Sequence, residues 1–162
     1  MKIKNIALGI ICSLILLNLS VTAQKKLKTY DAEKFAKKVM RSLTPDLITK
    51  YMVDEKANAY FLKKGGYPTE KFYRETKNNF DDIMEDVKWI SNQHVDFKLK
   101  DINVEMREEK PFVVANIYLN CSTKQGDFRI KLKYCVQSDI SWYLGDGVII
   151  EGEGFQKAID AR

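Results

Sequence analysis

The spacing of apolar residues changes once along this chain, and the change falls near His94. Before it, apolar side chains recur every three or four residues, the period of an amphipathic helix; after it, they alternate with polar ones as in a half-buried strand. Helices followed by strands are typical of the α+β class. The sequence therefore predicts N-terminal helices and then a curved antiparallel meander of four to five strands packed on a long helix.

Several start signals divide the helical half. Asp31 is a candidate cap for the first helix, and Thr44 precedes Pro45, which occupies a first helical position where the missing N–H costs nothing. A third helix starts at Asp54 and ends at the glycines of "KKGG". The longest helix is predicted over residues 69–92, and its buried stripe consists of Phe72, Tyr73, Thr76, Phe80, Ile83, Met84, Val87 and Ile90.

The alternating half predicts the strands "VDFKLKDINVEMR", "FVVANIYLNC", "DFRIKLKYCVQ" and "ISWYL", with "VIIEG" as a fifth. In the first strand the apolar parity shifts near Lys100 and Asp101, which predicts a β-bulge that bends the sheet. The third strand places Phe128, Ile130, Leu132, Tyr134 and Val136 on one face and Arg129, Lys131, Lys133, Cys135 and Gln137 on the other. We interpret that basic face as the wet side of an antiparallel sheet rather than a binding stripe.

Two cysteines follow the leader segment, Cys121 and Cys135. The pairing that aligns the apolar sets puts Cys121 beside Ile130 and Cys135 beside Asn116 on the opposite face. Even with the register slipped by one, the two cysteines would lie about four residues apart along the ladder, farther than the roughly 4.4 to 6.8 Å between Cα atoms that a disulfide spans. The sequence predicts no disulfide, a buried Cys121 and a Cys135 on the polar side.

The first 23 residues have the layout of a secretory signal peptide. Lys2 and Lys4 precede an apolar run, and Val21 and Ala23 occupy the small-residue positions before cleavage. Polar residues interrupt the run, which disfavours an uncleaved anchor. We expect cleavage after Ala23, a periplasmic or secreted protein, one α+β domain over residues 24–162 and no membrane span after cleavage.

Charge and motif content argue against several functional classes. The leader carries two lysines and no acidic residue, so its removal lowers the net charge from +5 to +3, weaker than the basic footprint of nucleic-acid binding. No glycine-rich phosphate loop is present, and one histidine with two separated cysteines does not build a zinc site. In "DDIMED", Asp82 and Asp86 have a spacing that could hold a cation, but Ile83 and Met84 belong to the buried stripe, which favours a solvated acidic face. We predict neither metal nor cofactor.

His94 and Asp96 are the candidate acid–base pair. In an extended strand the two side chains share a face, where the carboxylate could orient the imidazole. The alternative is that His94 ends the long helix, where a cation is favoured by the helix dipole. Because no nucleophile or second base is identifiable beside the pair, the structural interpretation is preferred.

Helices followed by a curved meander with the aromatic-rich late segment "SWYLGDGVII" resemble the cone-shaped NTF2-like and cystatin-like domains of small exported bacterial proteins. The resemblance covers about residues 30–151. One departure is that "KKGGYP" has the pattern of a plain turn where NTF2-like chains usually have a short strand. The resemblance implies a pocket between the long helix and the concave sheet, in a group that includes enzymes, ligand binders and interaction modules.

The leading hypothesis is a non-enzymatic exported domain that binds a small apolar ligand, a peptide or a partner protein in the helix–sheet cleft. Its candidate binding residues are Tyr60, Trp89, Tyr134 and Trp142. The alternative is an NTF2-like isomerase or hydrolase that uses a single buried acid or the His94–Asp96 pair, which requires desolvation of the carboxyl group. A third hypothesis is an uptake or envelope-assembly accessory whose partner binds the exposed edge of the meander.

Overall fold

The computed structural model of the 162-residue chain describes residues 31–53, 55–65, 69–109, 112–139 and 141–162, with backbone alone at 55–56 and 69–76. The predicted signal peptide and its cleavage after Ala23 lie outside the described residues. Ala32–Arg162 form one compact unit. Among the helices described, none is long and apolar enough to cross a membrane.

Five α-helices are described: α1 over residues 31–40, α2 Pro45–Ile48, α3 Glu55–Gly65, α4 Thr69–Asn92 and α5 Glu153–Asp160, with a 3₁₀ turn at Thr49–Tyr51 after α2. The bounds predicted for α4 are confirmed. Pro45 begins α2 as predicted, and Thr44 precedes it in an extended conformation but makes no capping side-chain hydrogen bond. The capping role predicted for Asp31 is wrong because Asp31 is itself helical. Helix α5 has no counterpart among the elements predicted from the sequence.

The sheet consists of β1 Lys98–Glu109, β2 Phe112–Ser122, β3 Asp127–Gln137, β4 Trp142–Tyr143 and β5 Gly147–Glu151, all paired antiparallel. Strands β1, β2 and β3 are neighbours in that order, and β4 and β5 both pair with the far edge of β3. The bulge predicted in β1 is confirmed by a register shift between Leu99 and Asp101. The chain therefore has the α+β fold that the change of apolar period predicts.

A main core fills the space between α4 and the sheet. Ile83 and Val87 on α4 and Ile117 and Leu132 on the sheet are buried members of one continuous cluster. One predicted member of the α4 stripe does not belong to it: Phe80 is 38% exposed. Because side chains occupy this space, the predicted open cleft between the long helix and the centre of the sheet is not found among the described residues.

A second, smaller cluster lies on the other face of the sheet. Ala57 and Phe61 of α3 contact Phe112 and Val114 of β2 there. Val114 belongs to this cluster while the next residue, Ala115, belongs to the main core. Because successive side chains of a strand point to opposite faces, α3 and α4 cover different faces of the sheet.

A second bulge overturns the prediction for Cys135. The register between β2 and β3 shifts between Ala115 and Ile117, and Tyr134 adopts a positive φ of 52°. The Asn116 Oδ1 accepts a hydrogen bond from the Tyr134 backbone N–H at 3.0 Å. The extra residue reverses the alternation, so Cys135 points into the main core and is buried rather than facing the polar side.

The same bulge moves Tyr134 and Val136 to the face covered by α3, although the sequence placed them with Phe128. The predicted register was also displaced: Cys121 pairs with Phe128 instead of Ile130, and Cys135 pairs with Ala115 instead of Asn116. Both thiols are free and buried.

Candidate functional site

The fold disperses the four aromatic residues that the sequence suggested as a ligand site. Tyr60 and Tyr134 both pack against the α3 cluster, Trp142 is buried in the main core, and Trp89 is exposed on α4. They therefore do not line one cleft. Each has to be considered in its own surroundings.

Tyr60 and Tyr134 are tied into polar contacts. The Tyr60 hydroxyl donates to Asp139 at 2.9 Å and accepts a hydrogen bond from Lys64 at 2.6 Å. The Tyr134 hydroxyl donates to Glu109, and the Arg107 guanidinium lies 5.3 Å from the Tyr134 ring centroid. The contacts of Tyr60 join α3 to the segment that follows β3, and those of Tyr134 join β1 to β3, which is a structural role.

Trp89 borders a hollow of about 270 Å³ where α4, β5 and α5 meet. The hollow is the candidate site, and we call it the Trp89 hollow. Trp89 is 46% exposed and Ile149 on β5 is 39% exposed. The residues that line the hollow are Asp86, Trp89, Val148, Ile149, Ile150, Gly152, Phe155 and Gln156.

A row of aromatic rings fixes the position of Trp89. Its ring centroid lies 5.7 Å from that of Phe155, which is 5.1 Å from Phe128, and Phe128 is 5.4 Å from Phe97. Phe155 and Phe128 are buried. Aromatic pairs at these separations gain energy beyond their buried area. The floor of the Trp89 hollow is therefore made of packed aromatic rings, while Trp89 at its rim is exposed.

Asp86 supplies the charge at this site. Its Oδ2 accepts a hydrogen bond from the Val148 backbone N–H at 3.1 Å, so this N–H group of β5 already has a partner. Burial raises the pKa of the Asp86 carboxyl, the nearby acids including Asp82 raise it further, and the hydrogen bond from Val148 opposes them. The prediction of a wholly solvated acidic face is right for Asp82 and Glu85, which are exposed, but not for the partly buried Asp86.

The basic residues of β3 are paired with acids on the open part of the sheet face. Arg129 contacts Glu151 at 2.9 Å, Lys131 contacts it at 3.7 Å, and Lys133 contacts Asp146 at 2.5 Å. The charge of this face is thus largely balanced within the chain, as expected for the wet side of a sheet.

His94 and Asp96 are both exposed. His94 follows the end of α4 with a φ of 47°, and its backbone N–H donates to the Ser91 carbonyl at 3.2 Å. A left-handed residue after the last helical turn is a common way to end a helix, which matches the structural interpretation of His94. Asp96 lines a separate surface hollow beside the β2–β3 turn. The desolvation that acid–base catalysis would need is not seen at either side chain.

Within the described part of the chain, no group of three or more His, Cys, Asp or Glu side chains could hold a metal ion. Comparisons of the chain with protein-family models, curated proteins and solved structures found no match. A function for this chain has therefore to be inferred from its own surface.

Sequence reasoning identified Trp89 but missed Phe155 and Ile149 as its neighbours. The segment "EGFQKAID" does contain a signal, because Phe155, Ala158 and Ile159 recur at helical spacing. Assigning that helix would have revealed an apolar face in need of a partner. That the face packs beside Trp89 depends on the tertiary fold.

Proposed function

We propose that this chain is an exported, non-enzymatic binding domain that takes an apolar side chain of a peptide or partner protein into the Trp89 hollow. The observation that carries the proposal is the exposure of Trp89 above the buried ring of Phe155, beside the exposed Ile149. Exposed aromatic and aliphatic groups grouped around a concavity are typical of protein interaction sites.

The size of the Trp89 hollow favours a side chain over a free small molecule. Its volume of about 270 Å³ is below the roughly 300 to 1,000 Å³ of pockets that enclose drug-sized ligands. A shallow hollow can anchor one side chain while the flanking backbone of the partner contacts its rim. The rim offers Gln156 and the Asp86 carboxyl as polar contacts.

Export is the part of the proposal that rests on the sequence alone. It is supported by Lys2 and Lys4 ahead of the apolar run and by the cleavage pattern ending at Ala23. Fractionation of cells expressing the full chain, with N-terminal sequencing of the product, tests it. We expect a product outside the cytoplasm that begins at Gln24; an unprocessed chain in the cytoplasm would overturn export.

The hollow can be tested with a side-chain-sized probe. In nitrogen-edited NMR spectra the two indole N–H signals report on different environments, because Trp89 is exposed and Trp142 is buried. Titration with indole should shift the Trp89 signal and the backbone amides of Ile149 and Phe155, and leave the Trp142 signal in place. Shifts spread evenly over the surface would contradict the proposal.

Two variants make the test specific. Trp89→Ala should abolish the shifts at Ile149 and Phe155, whereas Leu47→Ala should not, because Leu47 is similarly exposed at 40% but lies on α2. Peptides selected from a displayed random library against the wild type should carry an aromatic or branched aliphatic anchor and bind Trp89→Ala at least about tenfold more weakly. Selected peptides that bind both proteins equally would remove the peptide or protein partner from the proposal.

A further inference from the structure

Strand β1 is a long edge strand. It runs for 12 residues and, among the described residues, pairs only with β2. An edge of this length presents a row of backbone N–H and C=O groups that can pair with another strand. The edge lies across the sheet from β5 and the Trp89 hollow, so pairing at this edge is independent of the proposed function.

The two faces of β1 differ in character from its bulge onward. Ile102, Val104 and Met106 pack against the main core, yet all three remain partly exposed. The intervening residues are polar and exposed: Asp101, Asn103, Glu105 and Arg107. Seven residues, 101 to 107, thus form a regular segment with an incompletely covered apolar face.

We propose that β1 pairs antiparallel with β1 of a second copy of this chain, about a two-fold axis at Val104. This register places Val104 opposite Val104, Ile102 opposite Met106 and Asn103 opposite Glu105. It also places Asp101 of each copy opposite Arg107 of the other. Opposite charges and apolar pairs directly across an antiparallel ladder each contribute roughly 0.2 to 1 kcal/mol.

A competing register must shift the partner strand by two residues, because a shift of one would place apolar side chains opposite polar ones. Each such shift moves the two-fold axis by one residue. An axis at Asn103 puts Asp101 opposite Glu105. An axis at Glu105 puts that carboxylate opposite its own copy and Asp101 opposite Glu109. Like charges directly opposite one another destabilise a ladder.

An axis at Met106 pairs Glu105 with Arg107, but it places the apolar Val104 opposite Glu108. Of these four axes, only the one at Val104 places apolar residues opposite apolar residues on one face and places no like charges opposite each other on the other face. The Arg107 side chain is 54% exposed, with Glu109 2.7 Å away on the same strand and the Tyr134 ring centroid 5.3 Å from its guanidinium, so it can also reach a partner strand. The dimer joins two five-stranded sheets into one.

The first experiment measures molar mass by sedimentation velocity, over a range of concentrations, on protein purified from cells expressing the full chain. We expect a concentration-dependent dimer. Asp101→Arg and Arg107→Asp should each raise the dimer dissociation constant at least tenfold, because each creates two like-charge pairs across the axis. The double variant should restore most of the affinity, since it swaps the acidic and the basic position and each pair across the axis again joins opposite charges.

A matched control separates this effect from net charge. Lys157→Glu changes the charge by the same amount as Arg107→Asp, but it lies on exposed α5, where Lys157 contacts Glu153 at 2.7 Å; it should leave the dimer intact. Circular dichroism checks that every variant is folded. A monomer at all concentrations, or a dimer unaffected by both single variants, would overturn the proposal.

The register has its own test. Val104→Cys should form an intermolecular disulfide on mild oxidation, because directly opposite Cα atoms lie about 4.5 to 5.5 Å apart. Glu105→Cys should not, since its copy is displaced by two positions along the ladder. Peptide mapping identifies the linked residues. Cross-linking of Glu105→Cys but not Val104→Cys would rule out the proposed axis.

Discussion

At the scale of single residues, Gly145 shows how closely the β4–β5 connection approaches β3. A Cβ atom on Gly145 would overlap the Tyr134 carbonyl oxygen and come within 3.3 Å of the Val136 side chain. Asn79 of α4 holds the same residue by donating to the Gly145 carbonyl at 2.6 Å. The Tyr134 backbone is held at the bulge because its N–H donates to the Asn116 Oδ1 at 3.0 Å.

We expect Gly145→Ala to lower the free energy of unfolding by about 2 kcal/mol through this overlap. Gly147→Ala is the matched control. Its Cβ would meet only the Asp86 Oδ2, at an ordinary 3.4 Å, and the cost should stay within about 0.5 kcal/mol. Urea denaturation of both variants measures the difference. Equal losses would mean that the β4–β5 connection moves to make room.

The carboxyl group of Asp86 should make the free energy of unfolding depend on pH, and the sign of that dependence follows from its pKa. Burial raises the pKa of its carboxyl above the usual 3.8 in the folded state. The carboxyl therefore contributes stability that is fully present below the unfolded pKa and is lost as pH rises through the folded pKa.

Asp86→Asn removes the charge but keeps an oxygen that can accept from Val148. Between about pH 3 and pH 7, its free energy of unfolding should improve relative to the wild type by about 0.5 kcal/mol, the scale of a partly exposed charge. Asp86→Ala leaves the Val148 N–H without its acceptor and should cost about 1 kcal/mol even at low pH. Urea denaturation at several pH values provides both measurements. A difference that falls as pH rises would show that the hydrogen bond outweighs desolvation.

At the scale of elements, Phe155 is the largest buried side chain of α5, where Ala158 is buried too and Ile159 packs against the main core. Phe155 is buried between Trp89 and Phe128. Phe155→Ala should lower the free energy of unfolding by about 3 to 5 kcal/mol, the range for buried Phe truncation. Gln156→Ala, one residue along and exposed, should change it by less than about 0.5 kcal/mol. Thermal and urea denaturation compare the two, and a small loss at Phe155 would mean that α5 is not needed for the core.

Elements with a long, unbroken apolar period could be predicted from the sequence. The bounds of α4 and β3 and the bulge in β1 follow from apolar spacing alone, because each leaves its mark in the order of apolar and polar residues. The bulge at Tyr134 leaves no such mark. Its backbone N–H is satisfied by the Asn116 side chain from the neighbouring strand, so the feature that reverses the alternation is a tertiary contact.

The candidate site was predictable only in part for the same reason. Trp89 could be identified as an aromatic residue bordering a pocket, but aromatic content does not show which rings lie together. Trp142 is in the main core, and Tyr134 lies on the opposite face of the sheet because of the bulge. The Trp89 hollow depends on the position of α5, which no periodicity in α4 or β5 specifies.

At the scale of the whole molecule, α4 and α3 cover parts of opposite faces of the sheet, and the two cysteines report on the face that α4 covers. Cys121 and Cys135 are both buried in the main core. Burial raises the pKa of Cys121 to about 11 and raises that of Cys135 as well. Because the thiolate is the reactive form, neither thiol should react with iodoacetamide while the main core is intact.

We expect labelling of both cysteines to require opening of the main core, so that the two peptides are modified at the same rate and the rate rises with urea as global unfolding does. Mass spectrometry of the peptides follows each residue separately. Cys121 pairs with Leu99 of the edge strand β1, whereas Cys135 lies on β3 in the middle of the sheet. Faster labelling of Cys121 alone would show that β1 opens without the rest, and pairing of β1 with a second copy should then slow it as protein concentration rises.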